Sequence, residues 1–259
     1  MRLRFLGTGT SFGIPVIGCH CATCTSSDPR DRRTRHAALI EHENGRRILI
    51  DAPPELRLQL VEAAVGSVDA IWFTHYHADH THGVDDLRAI TARRDEPLVA
   101  YAGDECADVL LERFAYIFDP DYRPIEGTTK PDLRIQRLVD GEPVDVAGIT
   151  MLPIAVPHGD TESFGFRIGD LGYVTDAKTL PGSALEALAG VRVLVLNALW
   201  YGRPHPTHMT VEEAVEVAQR IRAERTYLTH LSHRVRHALL LESLPPGIEP
   251  AYDGLVVEF

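Results

Sequence analysis

No stretch of this 259-residue chain approaches the ~18 consecutive apolar residues that a membrane-spanning helix needs. No membrane partner is therefore expected. Basic charge is also short: 26 Lys and Arg stand against 37 Asp and Glu, a formal charge of −11. That excludes a broad positive footprint for duplex nucleic acid. It does not exclude a small phosphate substrate, because bound cations reverse the local charge. The first six residues turn polar too quickly for a secretory signal and read as a strand, so a cytoplasmic location is expected. Cysteine is scarce, four in all, and three of them crowd into one short run. In a reducing compartment such clustered thiols act as ligands more often than as disulfides. No tandem repeat, low-complexity tract or linker interrupts the chain, so residues 1–259 are expected to form one domain.

Strands dominate each half, with helices between them. Strands are expected over residues 2–7, 70–74, 98–102, 133–139, 144–146, 150–156, 191–197 and 226–229, and near 255–259. Hairpins are expected between 36–42 and 47–51, turning at Asn44-Gly45, and between 163–168 and 172–175. Helices are expected over 53–64, 83–94, 104–118, 183–188, 210–224 and 235–244. Thr210 and Glu213 form a capping box at the start of the fifth of these. The pattern points to an α/β (α+β) fold in which helices cover sheets.

The run Thr74-His75-Tyr76-His77-Ala78-Asp79-His80 follows a short apolar strand. Three imidazoles and a carboxylate in so few residues suit zinc, manganese or iron. A solvated His-rich loop would leave the spacing unexplained. Alternate residues leaving a strand end point to different sides, so one loop can serve two adjacent metals.

This HxHxDH pattern resembles that of the metallo-β-lactamase superfamily. The resemblance implies a four-layer αβ/βα sandwich with a two-metal site at the sheet edges. It implies that His75, His77 and His158 hold one metal. Asp79, His80 and His230 would hold the other, with Asp176 bridging. The sequence supports the match separately: His158, Asp176 and His230 each follow a predicted strand, as the first cluster does. Asp51 resembles the carboxylate that orients a ligand in this superfamily. It reads nearly as well as a strand-end cap.

Two such metals would activate a shared water, lowering its pKa toward ~7, and would clamp phosphoryl oxygens. Asp79 would orient the nucleophile as well as bind. A leaving alkoxide needs a proton, and His208, just before the helix at 210–224, is the expected donor. Its bland alternative is a histidine of the capping region.

Cys19-His20-Cys21-Ala22-Thr23-Cys24 is a CxCxxC run. Three thiolates suit a structural zinc, which takes four tetrahedral ligands. His233, three residues after His230, is the expected fourth. Free thiols or a redox cluster are the alternatives. Cys106 stands alone and reads as a buried helix residue.

Gly7-Thr8-Gly9-Thr10, the cysteine run, the His/Asp run and Thr229-His230-Leu231-Ser232-His233 together resemble the PhnP-like phosphodiesterases. Those enzymes open a ribosyl cyclic phosphate and carry a Cys₃His zinc beside a dinuclear site. Their proposed catalytic histidine matches His208. The resemblance implies a metal-dependent phosphodiesterase acting on a small, cyclic phosphodiester of a phosphosugar or nucleotide. Two divalent metals, Zn or Mn, and one structural Zn would be its cofactors. A tRNA 3′-processing nuclease would need a basic arm, which this acidic chain lacks. A PqqB-like cofactor-biosynthesis protein is disfavoured by the intact ligand set. Residues 110–131, with Phe114, Tyr116, Phe118 and Tyr122, depart from the pattern. They read as a substrate lid, a dimer surface or an amphipathic cover for the core, and a homodimer is expected.

Overall fold

The computed structural model describes all 259 residues. The N-terminal half runs β1 (Arg2–Gly7), β2 (Ala37–Glu41), β3 (Arg47–Ile50), α1 (Leu56–Glu62), β4 (Ala70–Trp72), α2 (Ala78–Thr81), α3 (Arg88–Thr91), β5 (Leu98–Ala102), α4 (Asp104–Arg113), α5 (Ala115–Phe118) and β6 (Leu133–Arg137). The C-terminal half runs β7 (Val144–Val146), β8 (Ile149–His158), β9 (Thr161–Ile168), β10 (Leu171–Val174), α6 (Gly182–Ala187), β11 (Val193–Asn197), α7 (Val211–Ile221), β12 (Arg225–Thr229), α8 (His237–Ser243), β13 (Ile248–Pro250) and β14 (Val256–Glu258).

These strands make two seven-stranded sheets, ordered β14-β1-β2-β3-β4-β5-β6 and β13-β12-β11-β10-β9-β8-β7. Each is antiparallel at one end and parallel at the other: β3 to β6 run parallel, and so do β10 to β13. Side chains alternate across a strand, so a strand buried on both faces reads as a continuous apolar run. In β3, Ile48 and Ile50 face the other sheet while Leu49 faces the helices. In β11, Val193 and Val195 face inward while Leu194 and Leu196 meet α6, α7 and α8. Three hydrophobic interfaces therefore separate four layers, as the αβ/βα expectation requires.

The hairpin at Asn44-Gly45 and the capping box at Thr210 and Glu213 are present as expected. Other elements differ for local reasons. The expected helix at 83–94 is a 3-10 turn, Val84–Leu87, running into the short α3. Its buried apolar residues Val84, Leu87 and Ile90 recur every three positions, the period of a 3-10 helix. The expected helix at 104–118 breaks at Phe114, whose φ of −119° is not helical and whose ring meets His82 edge-on. Leu110, Ile117 and Phe118 are buried against the first sheet, so this part of residues 110–131 covers the core. Strand β8 runs on to include His158, because Thr161 pairs with it across a tight turn. Strand β13 was not expected. It is three residues long, pairs only with β12, and ends in proline, which an edge position tolerates. Cys106 is buried on α4, as expected.

Candidate metal centre

Ligands in α/β sheets sit outside the carboxyl ends of parallel strands. Here both sheets bring those ends to one rim. Asp51 follows β3, the run Thr74 to His80 follows β4, Asp176 follows β10 and His230 follows β12, while antiparallel β8 ends on His158. Asp51, Asp176 and His230 have φ values of 63°, 54° and 57°, in the left-handed region. A non-glycine residue in this region costs about 1–3 kcal/mol, which the surrounding contacts must offset.

The residues expected at the dinuclear site converge. His77 Nδ1 lies 2.9 Å from His75 Nε2 and 3.2 Å from His158 Nε2. Three nitrogens bound to one ion at about 2.0–2.1 Å would stand roughly 2.9–3.4 Å apart. Asp79, His80 and His230 form a second group, with Asp79 Oδ2 3.5 Å from His80 Nε2 and 3.8 Å from His230 Nε2. Asp176 lies between the groups: its Oδ2 is 3.5 Å from His80 Nε2, and its Oδ1 is 3.1 Å from His230 Nε2 and 4.0 Å from His158 Nε2. The Nε2 atoms of His80 and His230 are buried without a hydrogen-bond partner, which fits lone pairs reserved for a cation.

The electrostatics agree with that fit. Burial drives the imidazoles of His75, His77 and His158 down, toward the neutral form a metal ligand needs. Burial pushes the carboxyls of Asp79 and Asp176 up, but His80 and His230 outweigh it and hold both well below the usual range. His80 moves the other way. Burial opposes its charge, yet Asp176, Asp51 and Asp79 raise it well above an ordinary histidine. The positive charge that three carboxylates draw onto His80 is charge a divalent cation would supply instead.

Asp51 serves both readings left open by the sequence. Its Oδ1 accepts the Thr74 backbone N–H at 2.8 Å, which caps the strand end. Its Oδ2 lies 2.7 Å from His80 Nδ1 and accepts the Thr74 hydroxyl at 2.9 Å, which fixes the ring. Gly159 lets the turn after His158 close, since a Cβ there would lie 2.7 Å from Thr207 Cγ2. The Thr207 carbonyl sits 3.0 Å from His158 Nδ1.

His208 reaches the same centre. Its Nε2 is 2.9 Å from Asp176 Oδ1, and its Nδ1 is 2.8 Å from the Thr207 hydroxyl. Burial lowers its pKa, and Asp176 offsets only part of that fall.

Sequence reasoning missed His36 and Asn197 and gave Thr74 no role of its own. His36 is fully buried behind His80 and His230, with its Nε2 2.6 Å from the Tyr173 hydroxyl. Asn197 brackets Ala177, accepting its N–H at 2.8 Å and donating to its carbonyl at 3.1 Å, and so holds the loop that carries Asp176. A lone Asn ending the apolar strand β11 was the available signal.

The cysteine run gathers on His233. Its Nδ1 lies 3.3, 3.6 and 3.7 Å from the Sγ atoms of Cys19, Cys21 and Cys24. Ligands at about 2.3 Å for sulfur and 2.0–2.1 Å for nitrogen on a tetrahedral ion would be roughly 3.5–3.6 Å apart. The backbone amide of Cys24 pulls the Cys21 thiol down to about 6, while burial pushes Cys24 up to about 11. Arg33 ties this loop to the rim, donating from Nη1 to the carbonyls of Ser232 at 3.2 Å and Val235 at 3.0 Å. A hollow of about 530 Å³ lies elsewhere, around Met1, Glu41 and Glu258, and touches none of these donors.

Residues 46–231 match the family described as the beta-lactamase superfamily domain. A crystal structure of a new diphosphatase from the PhnP family superposes with a TM-score of 0.91 at 39% identity, covering 100% of this chain and 98% of that one. A Porphyromonas gingivalis (strain ATCC BAA-308 / W83) protein named octanoyltransferase is 40% identical over 98% of this chain and 51% of its own. The chain thus spans about half the length of that relative. A ribonuclease Z from Pyrobaculum neutrophilum is 27% identical over 95% of this chain and 93% of its own. This chain belongs to the metallo-β-lactamase superfamily and, within it, to the PhnP family.

Proposed function

We propose that this protein is a metal-dependent phosphodiesterase for a small, cyclic phosphodiester of a phosphosugar or nucleotide. The observation that carries the reading is Asp176, set between two histidine groups, with His208 Nε2 against the same Oδ1 that faces His230 and His158. His75, His77 and His158 would hold one divalent cation, Zn or Mn, and Asp79, His80 and His230 the second, with Asp176 shared. Such a pair supplies hydroxide at neutral pH and positive charge against the phosphoryl oxygens.

The chain's own residues do the rest. Thr175 donates its hydroxyl to Asp176 Oδ2 at 2.6 Å and fixes that carboxylate. Asp79 accepts a hydrogen bond from the attacking water and aims it at phosphorus. As the new P–O bond forms, the ester P–O bond breaks and the alkoxide leaves. His208 gives that alkoxide its proton from Nε2, while the Thr207 hydroxyl steadies Nδ1. Cys19, Cys21, Cys24 and His233 would hold a structural zinc.

The relatives agree with phosphoryl chemistry: one is described as a diphosphatase, another as a ribonuclease. The name octanoyltransferase belongs to a protein about twice as long as this chain.

Bis-p-nitrophenyl phosphate, cyclic nucleotides and a diphosphate ester, assayed with Mn²⁺ or Zn²⁺, test the proposal. Turnover of the diesters with more than two metal equivalents per chain is expected. No turnover by fully loaded protein with either metal would sink it. Cleavage of the diphosphate alone would move the reaction to phosphoanhydrides.

A further inference from the structure

A cavity of about 360 Å³ opens beside the metal centre, and His208 and His230 form part of its wall. That volume is within the range of small-molecule sites, roughly 300–1,000 Å³. Phe12, Trp200, His205 and Arg234 also line it. None of these four belongs to the metal or proton-transfer machinery.

Their chemistry is unusual for a surface. Phe12 is 71% exposed, although burying a phenyl ring is favourable and most of the chain's large apolar side chains achieve it. Trp200 is held rigid. Its Nε1 donates to the Arg203 carbonyl at 2.7 Å, and its own carbonyl accepts the Val211 N–H at 2.9 Å. The Arg234 guanidinium lies over the indole, 4.6 Å from the ring centroid. His205 meets the same indole edge-on at 5.2 Å, and its Nδ1 is 3.2 Å from His208 Nδ1. A row of rings thus leads from the proton donor outward, with a guanidinium plane at its far end. Aromatic faces and arginine planes are what protein surfaces offer to unstacked nucleobases. A base-free sugar phosphate would use the positive charge but would leave the exposed Phe12 ring without a partner.

We propose that this cavity is a nucleobase subsite, so that the substrate is a nucleoside phosphodiester whose base packs among Phe12, Trp200 and Arg234. The inference rests on the phosphodiesterase reading above and chooses within it. It puts the nucleoside on the His208 side of the phosphorus. The proton from His208 then goes to an oxygen of the nucleoside.

Fluorescence gives a test that needs no turnover. The chain has two tryptophans, and Trp72 is fully buried in the core with its Nε1 donating to the Phe164 carbonyl. Quenching by an added nucleotide therefore reports Trp200. Metal-loaded protein titrated with adenosine 5′-monophosphate should show saturable quenching, and ribose 5-phosphate should show none. Phe12→Ala and Arg234→Ala should weaken the nucleotide affinity by about 5–150-fold, the effect of losing one stacking partner. Kinetics give the second arm. Adenosine 2′,3′-cyclic phosphate should exceed glycerol 1,2-cyclic phosphate in kcat/KM. Phe12→Ala and Trp200→Phe should shrink that ratio mainly through KM. No quenching by the nucleotide, or equal kcat/KM for the two esters, overturns the subsite. Quenching without hydrolysis of either ester supports the subsite and overturns the phosphodiesterase reading instead.

Discussion

The imidazole of His208 faces the carboxylate of Asp176, Nε2 to Oδ1, at 2.9 Å. The same ring stacks on His230 at 4.8 Å and meets His158 edge-on at 4.8 Å. This places it against one member of each histidine group, close enough to be mistaken for a ligand. Metal content separates the roles. A donor outside the ligand set can be removed without loss of metal. His208→Ala should keep its full metal complement and lose about 10²–10⁴-fold in kcat, the span general acid catalysis commonly supplies. Loss of a metal equivalent would make His208 a ligand, and unchanged kcat would remove it from the mechanism.

Asp51 lies behind the proposed ligand set, with its Oδ2 2.7 Å from His80 Nδ1. Removing such a carboxylate commonly costs 10–100-fold in metal affinity. Asp51→Asn is the informative change, because asparagine tolerates the left-handed φ of 63° and nearly keeps the shape. Metal titration should show about 10–100-fold weaker binding, with kcat largely restored at saturating metal. Equal affinity in both proteins would reduce Asp51 to a cap for Thr74.

The segments on either side of the cysteine loop are hydrogen-bonded to the stretch that follows β12. Leu231 N–H donates to the Thr8 carbonyl at 2.9 Å, and His237 N–H donates to Asp31 Oδ1 at 2.7 Å. A zinc on His233 would therefore brace the segment that carries His230 without entering the chemistry. Cys21→Ala should lose one metal equivalent and melt lower by about 5–10 °C, what a loss of roughly 2–3 kcal/mol produces in a chain of this size. Its kcat at low temperature should stay within about two-fold. A melting point equal to wild type would argue against a structural metal.

How much of this was legible in the sequence follows from how locally each feature is encoded. The run from His75 to His80 carries four donors in one loop, and His158, Asp176 and His230 each end or follow a strand, so strand ends alone could find them. Their convergence within one rim depended on two parallel sheet edges meeting, which only the family resemblance implied. The 3-10 turn at Val84 was misread because a spacing of three also fits a helical face over so few residues. His36 escaped because a single histidine on an apolar strand flank carries no spacing. Trp200 and Arg234 are 34 positions apart, and only the juxtaposition of the loops after β11 and β12 brings guanidinium onto indole.

A last prediction concerns pH and lies outside the catalytic set. His237 sits beside Asp31 and the guanidinium groups of Arg30 and Arg33, and its Nδ1 is buried without a partner. Burial first, then those two cations, depress its pKa from 6.5 to about 4. The folded chain therefore keeps this ring neutral at a pH where the unfolded chain protonates it. The unfolded state binds more protons between pH 6.5 and 4, so the folded state loses stability as pH falls through that window. Above 6.5 both states are neutral and the contribution is constant. His237→Phe removes the titration and keeps a ring against Tyr252, which lies 5.6 Å away in an edge-on arrangement. Urea midpoints of the metal-loaded proteins, measured from pH 8 to pH 4, should differ by a constant amount above about 6.5. Below it the gap should shift steadily in favour of the variant, by no more than one proton's worth of slope. A gap that stays flat down to pH 4 would mean that the folded protein protonates His237 as readily as the unfolded chain does.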